Sequence, residues 1–197
     1  MANRTGTYIA FDGLGQTNPT KSDFRYYATI QAWDAHNNIE FRFVNSHEKT
    51  DAVRDTSKMA TLKGRIQERL RASKNVLLIL SSQTRKTGSL LSYEIEQAID
   101  NYNFPLIVAY VDLQVVLQPQ SLSGYWPDAL ASRIKESEGN MIHIPFAKNP
   151  IMDALPRFTV NGEMPRNGVL GFYSADAHRQ WGLLYPGSSE QNYSKTN

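Results

Sequence analysis

The chain has 197 residues and a mass of 22.3 kDa, with 41% hydrophobic, 20% charged and 11% aromatic residues, which fits one soluble domain plus an appendage. Twenty-one Lys and Arg against nineteen Asp and Glu leave a formal charge of +2, so no broad basic face argues for a nucleic-acid partner. Cysteine is absent, which excludes a disulfide framework, thiolate-bound zinc or iron–sulfur clusters, and a cysteine nucleophile.

Thr7–Asp12 (TYIAFD) is rich in β-branched and aromatic residues and stops at Gly13, which predicts a buried strand. Gly13–Lys21 is turn chemistry throughout. Ser22 or Asp23 suits a helix cap, and Phe24, Tyr27, Ala28, Ile30 and Trp33 give a helical stripe over Asp23–His36. Asn37 and Asn38 end it. Glu40–Val44 (EFRFV) alternates as a second strand, and polar Asn45–Ser57 predicts a loop. Leu62, Ile66 and Leu70 stack four apart in a helix over Met59–Ala72. Asn75–Leu80 (NVLLIL) is the unbroken apolar run of a central parallel strand. After a loop at Gln83–Ser89 come a helix over Leu90–Tyr102 and a strand over Pro105–Val111. A helix near Pro127–Glu136 and a strand at Met141–Pro145 complete five strands in βα alternation.

This order predicts an α/β fold, a flavodoxin-like doubly wound parallel five-stranded sheet in the order 2-1-3-4-5. The domain is expected to occupy residues 1–145. From residue 146 onward prolines punctuate short segments, so 146–187 reads as an extension packed on the same domain, with an added strand at Val169–Tyr173 and a short helix at Ala175–Trp181. Phe158, Phe172, Trp181 and Leu183 are the residues expected to hide there. Residues 188–197 read as a frayed polar tail.

In a doubly wound sheet a ligand sits beyond the carboxyl ends of the strands where the winding reverses, here between the loops after strands one and three. Position therefore nominates Phe11, Asp12 and Gly13 and the start of the helix SLLSYEIEQAI. On that helix Leu91, Ile95, Ala98 and Tyr102 define the buried stripe. Glu94 falls roughly 60° to its side, while Glu96 falls about 140° away, in solvent. A carboxylate on the border of a buried face can be partly desolvated and still meet a cleft; the alternative is a surface carboxylate favoured by the helix dipole.

The segment NVLLILSSQTRKTGSLLSYEIEQAIDNYNFPLIVAYV resembles the third strand, catalytic helix and fourth strand of TIR domains, through Ser81, Ser82, Thr84, Leu90, Leu91, Tyr93, Glu94, Ile95, Ala98 and Ile99. It is especially similar to the bacterial TIR-like branch of ThsB type, found in Thoeris anti-phage defence. YIAFD and FRFVNSH resemble the first two strands of the same fold, and the likeness spans about Thr7–Val111. It implies an enzyme that cleaves NAD+ at the nicotinamide–ribose bond, with Glu94 as the catalytic carboxylate, NAD+ as substrate and no bound cofactor. It further implies an ADP-ribose signal, cyclic in some relatives, that activates a downstream effector, with a phage-derived trigger and self-assembly as candidate controls. Leu90 stands where the family carries Trp, and Asp12 stands where many enzymatic members carry a basic or polar residue.

The remaining candidates carry two readings each. Phe11 suits stacking on a base or packing in the core, and Asp12 suits ribose contact or a turn. Gly13 permits close backbone approach, although Gly13-Leu14-Gly15 lacks the third glycine of a dinucleotide fingerprint. Asn45 and His47, after the second strand, suit nucleotide contact or a plain surface loop, and Ser82 suits a nucleotide contact or loop capping. Arg85 and Lys86 suit phosphates or solvent.

His36, His47, His143 and His178 show no metal-ligand spacing, so no metal site is expected. No leader precedes Thr7 and no apolar run approaches the ~20 residues of a membrane span, so the expected location is cytoplasmic with no membrane partner. A receiver domain would need an aspartate where Leu80-Ser81-Ser82 stands, and FDGLGQTNPT is a poor flavodoxin phosphate loop. Two rivals remain open: a nucleoside deoxyribosyltransferase-like enzyme, and a non-enzymatic TIR adaptor acting by protein assembly.

Overall fold

The computed structural model describes residues 4–14, 24–34, 41–42, 56–161, 168–188 and 193–195. The apolar runs become β1 (Gly6–Phe11), β3 (Ser73–Leu80), β4 (Pro105–Tyr110) and β6 (Asn140–Pro145), joined on one edge by β2 (Phe41–Arg42). All pair in parallel in the order β2-β1-β3-β4-β6, the topology predicted from the alternation. A sixth parallel strand, β7 (Gly171–Phe172), comes from the extension and covers the β6 edge.

Side chains alternate across the sheet, and this sorts the core into two layers. Tyr8 and Ala10 of β1 join Val76, Leu78 and Leu80 of β3 and Leu106, Val108 and Tyr110 of β4 on one face. That face is covered by α2 (Thr56–Arg71), α3 (Leu90–Glu96) and α4 (Asp128–Lys135). Ile9 and Phe11, with Leu77, Ile79, Ile107 and Ala109, point to the opposite face, under α1 (Phe24–Asp34) and α5 (Lys148–Arg157). The predicted Leu62, Ile66 and Leu70 stripe of α2 is buried; on α1 Tyr27 and Ile30 are buried, whereas Ala28 is exposed.

α5 is a helix where proline punctuation predicted none. Pro150 sits in its first turn, where backbone N–H groups have no helical acceptor in any case, and Pro156 sits beside its last residue. Ile151, Ala154 and Leu155, at helical spacing, are buried against the sheet. The carbonyls at its C-terminus are satisfied from β3: Asn75 Nδ2 donates to Leu155 O (2.9 Å) and Phe158 O (2.7 Å) while Asn75 Oδ1 accepts from Thr7 Oγ1 (2.7 Å). One buried amide thus fastens β1, β3 and α5 together.

α3 does not continue as a regular helix to residue 102. It passes into a π-helical turn at Gln97–Asn101, closed by Tyr102 N–H donating to Gln97 O at 3.2 Å. In the extension Phe158 is buried and Trp181 and Leu183 are half-buried, but Phe172 is 45% exposed, contrary to expectation. It follows buried Gly171 on an edge strand, so strand alternation turns it outward. α6 (Ala175–Gln180) is capped by Ser174 Oγ. Within the polar C-terminal segment, β8 (Tyr193–Ser194) pairs antiparallel with β5 (Leu113–Val115).

Beneath α4 lies a buried polar chain. Trp126 Nε1 donates to the Tyr110 hydroxyl (2.8 Å), which is 2.7 Å from His143 Nδ1, and His143 Nε2 is 2.9 Å from Val169 O. A carbonyl only accepts, so Nε2 carries the proton and Nδ1 accepts from Tyr110: a neutral imidazole satisfied on both sides. Burial pushes the His143 imidazole down to about 4, outweighing the opposing pull of Val169 O. An unfolded histidine titrates near 6.5, so in that window the unfolded chain takes up a proton that the folded one refuses. The His143 contribution to stability is therefore complete above about pH 6.5 and declines as pH falls toward 4, by roughly 3 kcal/mol in all. Denaturant unfolding of wild type and His143→Gln between pH 7 and 4 checks this: the variant should lose less stability on acidification, and parallel pH curves would contradict it.

Candidate active site

The loop between β3 and α3 is built from its own short polar residues. Ser81 N–H donates to Thr84 Oγ1 (2.8 Å), Thr84 N–H donates to Ser81 O (3.1 Å), and Gln83 N–H donates to Ser81 Oγ (3.2 Å). Ser82 is exposed at the loop tip, with its backbone N–H donating to Asp112 Oδ2. Lys86 donates to the carbonyls of Gly124 and, at 2.9 Å, Trp126, at the end of the 3₁₀ segment Pro119–Tyr125. Gly88 turns the chain with φ +73°, and α3 begins two residues later.

Asp12 ties this loop to the end of β1. Its Oδ1 accepts from Arg85 Nη2 (2.6 Å) and from Leu14 N–H (3.0 Å), and its Oδ2 accepts from Arg85 Nε (3.0 Å) and Arg85 N–H (2.9 Å). Leu14 pays for this turn with φ +54°, a left-handed conformation uncommon for a residue with a branched side chain. Burial alone would push the Asp12 carboxyl up. The Arg85 guanidinium and the backbone donors of Arg85 and Leu14 outweigh it and hold the carboxyl below its ordinary value. Both carboxylate oxygens are thus engaged by the protein, which is the turn role rather than the ribose contact. Arg85 is likewise paired with Asp12, with its side chain still 43% exposed.

Glu94 lies on α3 between Leu91 (1% exposed) and Ile95 (2%), and is itself only 1% exposed. The helical wheel placed it at the margin of the buried face; the structure encloses it. Tyr8, on the same sheet face, donates its hydroxyl to Glu94 Oε1 at 2.6 Å across 86 residues of sequence. A buried carboxylate without hydrogen bonds is strongly disfavoured, and a charge-assisted O–H···O bond of this length is among the stronger remedies. Burial first, then the charge and hydrogen bond of Glu94, push the Tyr8 phenol well above its ordinary value, with Arg69 pulling weakly the other way. Tyr8 therefore remains a protonated donor. Glu96, two residues on, is partly exposed, on the outward side that its angle predicted.

The candidate residues divide accordingly. Asp12, buried Gly13 and the Ser82 loop meet at the carboxyl end of the sheet, where the winding reverses. Glu94 lies beneath them with Tyr8, which is four residues, or about 13 Å of strand, before Asp12. Phe11 does not join them: its ring is 0% exposed and packs in the opposite layer with Tyr27 and Ile30, so it is core rather than a stacking surface for a base. Leu90, 7% exposed, belongs to the apolar layer that also holds Leu91 and Ile95. Asn45 and His47 lie outside the described residues. In the sequence Tyr8 reads as one more strand aromatic. A phenol destined for the same buried face as the border acid was the available signal.

Among the described residues, no group of three or more His, Asp and Glu side chains is placed to hold a metal ion, and no helix is long and apolar enough to cross a membrane. The Asp12–Arg85 clasp carries a direct test. Asp12→Asn keeps the shape but removes the charge that four donors share, and should cost about 1–3 kcal/mol of stability. Because the wild-type carboxyl titrates low, its contribution is present above its unfolded value near 4 and is lost as pH falls through the folded value. A chemical denaturation midpoint for Asp12→Asn equal to wild type at pH 7 would contradict the clasp.

The parallel five-strand sheet flanked by helices is consistent with a TIR-like fold. Residues 8–115, more than half of the chain, match the family model described as the TIR-like domain of Thoeris protein ThsB, and the chain belongs to that family.

Proposed function

We propose that this chain is the NAD+-cleaving, signal-producing enzyme of a Thoeris-type anti-phage system, and that Glu94 is its catalytic carboxylate. The observation that carries this reading is the enclosed carboxylate of Glu94, on the helix that follows β3 and held by the buried Tyr8 hydroxyl. Cleavage breaks the bond between the anomeric carbon of ribose and the pyridinium nitrogen. The bonding pair leaves with nicotinamide, and positive charge develops on the ribose.

A fixed anion beside that carbon lowers the barrier because it is already in place when the charge appears. The same carboxylate can accept from ribose hydroxyls and so orient the sugar, as acids do in glycoside hydrolysis. Capture of the carbon by a hydroxyl or amine of the same molecule, with loss of its proton, gives a cyclic ADP-ribose isomer; capture by water gives the linear form. The cyclic or linear product would then act on a separate effector in the cytoplasm.

At 1% exposure Glu94 meets a ribose only after its neighbours move. That fits an enzyme kept idle until a phage-derived trigger or self-assembly opens the site. An adaptor that acts by protein assembly alone would need no such carboxylate, and it is the outcome to be tested against.

Mass spectrometry of nucleotides from phage-infected cells, together with assays of the purified chain, separates the two. Wild type should consume NAD+, Glu94→Gln should lose at least about a hundredfold of that activity while staying folded, and Glu96→Gln should stay near wild type. Full activity in Glu94→Gln would remove the assignment, and no product from wild type in either setting would favour the adaptor.

A further inference from the structure

We infer that Tyr8 is a positioning residue for the Glu94 carboxylate, setting both its orientation and its charge state for the reaction. This rests on the reading of Glu94 as the catalytic group. β1 is flanked by β2 and β3, with Tyr8 in register with Arg42 on one side and Val76 on the other, so its backbone is held from both edges. The Tyr8 ring is 0% exposed within the apolar layer that also contains Leu91 and Ile95. A ring packed in this way cannot swing, and its hydroxyl therefore marks a fixed point.

Glu94 stands on a short α-helix that passes into a π-turn three residues later, a less regular support than a long helix. The 2.6 Å bond from Tyr8 to Oε1 supplies what the helix does not: it fixes the rotation of the carboxyl plane. It also favours the ionised carboxylate, since the phenol is a pure donor to it throughout the working pH range. Phenylalanine at position 8 would fill the core equally well.

The experiment compares wild type, Tyr8→Phe, Glu94→Gln and the double variant, measuring kcat, KM and the pH dependence of kcat/KM with NAD+, alongside thermal unfolding. Tyr8→Phe should lower kcat about tenfold or more, change KM less than about threefold, and move the acid limb of the profile up by about one pH unit. In the Glu94→Gln background the same change should add nothing, because the two residues act as one unit. Wild-type kcat and an unmoved acid limb in Tyr8→Phe, with Glu94→Gln inactive, would overturn this inference and leave the catalytic reading standing. Full activity in Glu94→Gln, or no turnover by wild type under any condition, would overturn both. If Tyr8→Phe does not fold, 3-fluorotyrosine at position 8 keeps ring and hydroxyl while making the phenol more acidic. The limb should then move to lower pH, and an unmoved limb would overturn the inference.

Discussion

The candidate site depends on one requirement: a carboxylate enclosed in an apolar layer must be given a hydrogen-bond partner within that layer. In this chain the Tyr8 hydroxyl is one such partner, and supplying it constrains much else. Tyr8 must occupy an even-numbered position of β1, β1 must lie beside β3, and the helix after β3 must fold back over β1 with Glu94 facing down. The parallel order β2-β1-β3-β4-β6 meets these conditions together. The hydrogen bond is thus both a product of the doubly wound topology and the feature that gives that topology a chemically distinctive group.

The same strand that offers Tyr8 to one face offers Ile9 and Phe11 to the other, and ends in Asp12. Asp12 then fastens the loop after β3 through Arg85, while Lys86 fastens it to the segment before α4. The start of α3 is therefore held on two sides. Positioning of Glu94 begins with this polar stitching and finishes with the Tyr8 bond. Electrostatics and packing divide the labour: ionic contacts hold the loops at the sheet's carboxyl end, and apolar burial holds the helix beneath them.

Most of the architecture was legible in the sequence because it is written in short-range periodicity. NVLLIL and PLIVAYV could hardly be anything but buried strands, and the four-residue spacing of Leu62, Ile66 and Leu70 is a helix face. Glu94 was legible as a border acid, although the amount of its burial was not, because a helical wheel knows nothing of the aromatic residue on the strand opposite. α5 was hidden by prolines that punctuate a sequence yet are harmless in a first turn. The two readings of Phe11 and the silence of the sequence on Tyr8 have a common reason. Strand alternation assigns them to opposite faces, but only the structure says which face carries the helix with the glutamate. Phe172 shows the converse, a large apolar residue exposed because its strand is an edge.

Under the proposed function, Glu94 is the group that makes the nicotinamide–ribose bond break. Its most direct test is nicotinamide release from labelled NAD+ by wild type and Glu94→Gln, at matched amounts of folded protein, in extracts of phage-exposed cells. Wild type should release nicotinamide, and the variant should release at least about a hundredfold less. Equal release by the two proteins would contradict it.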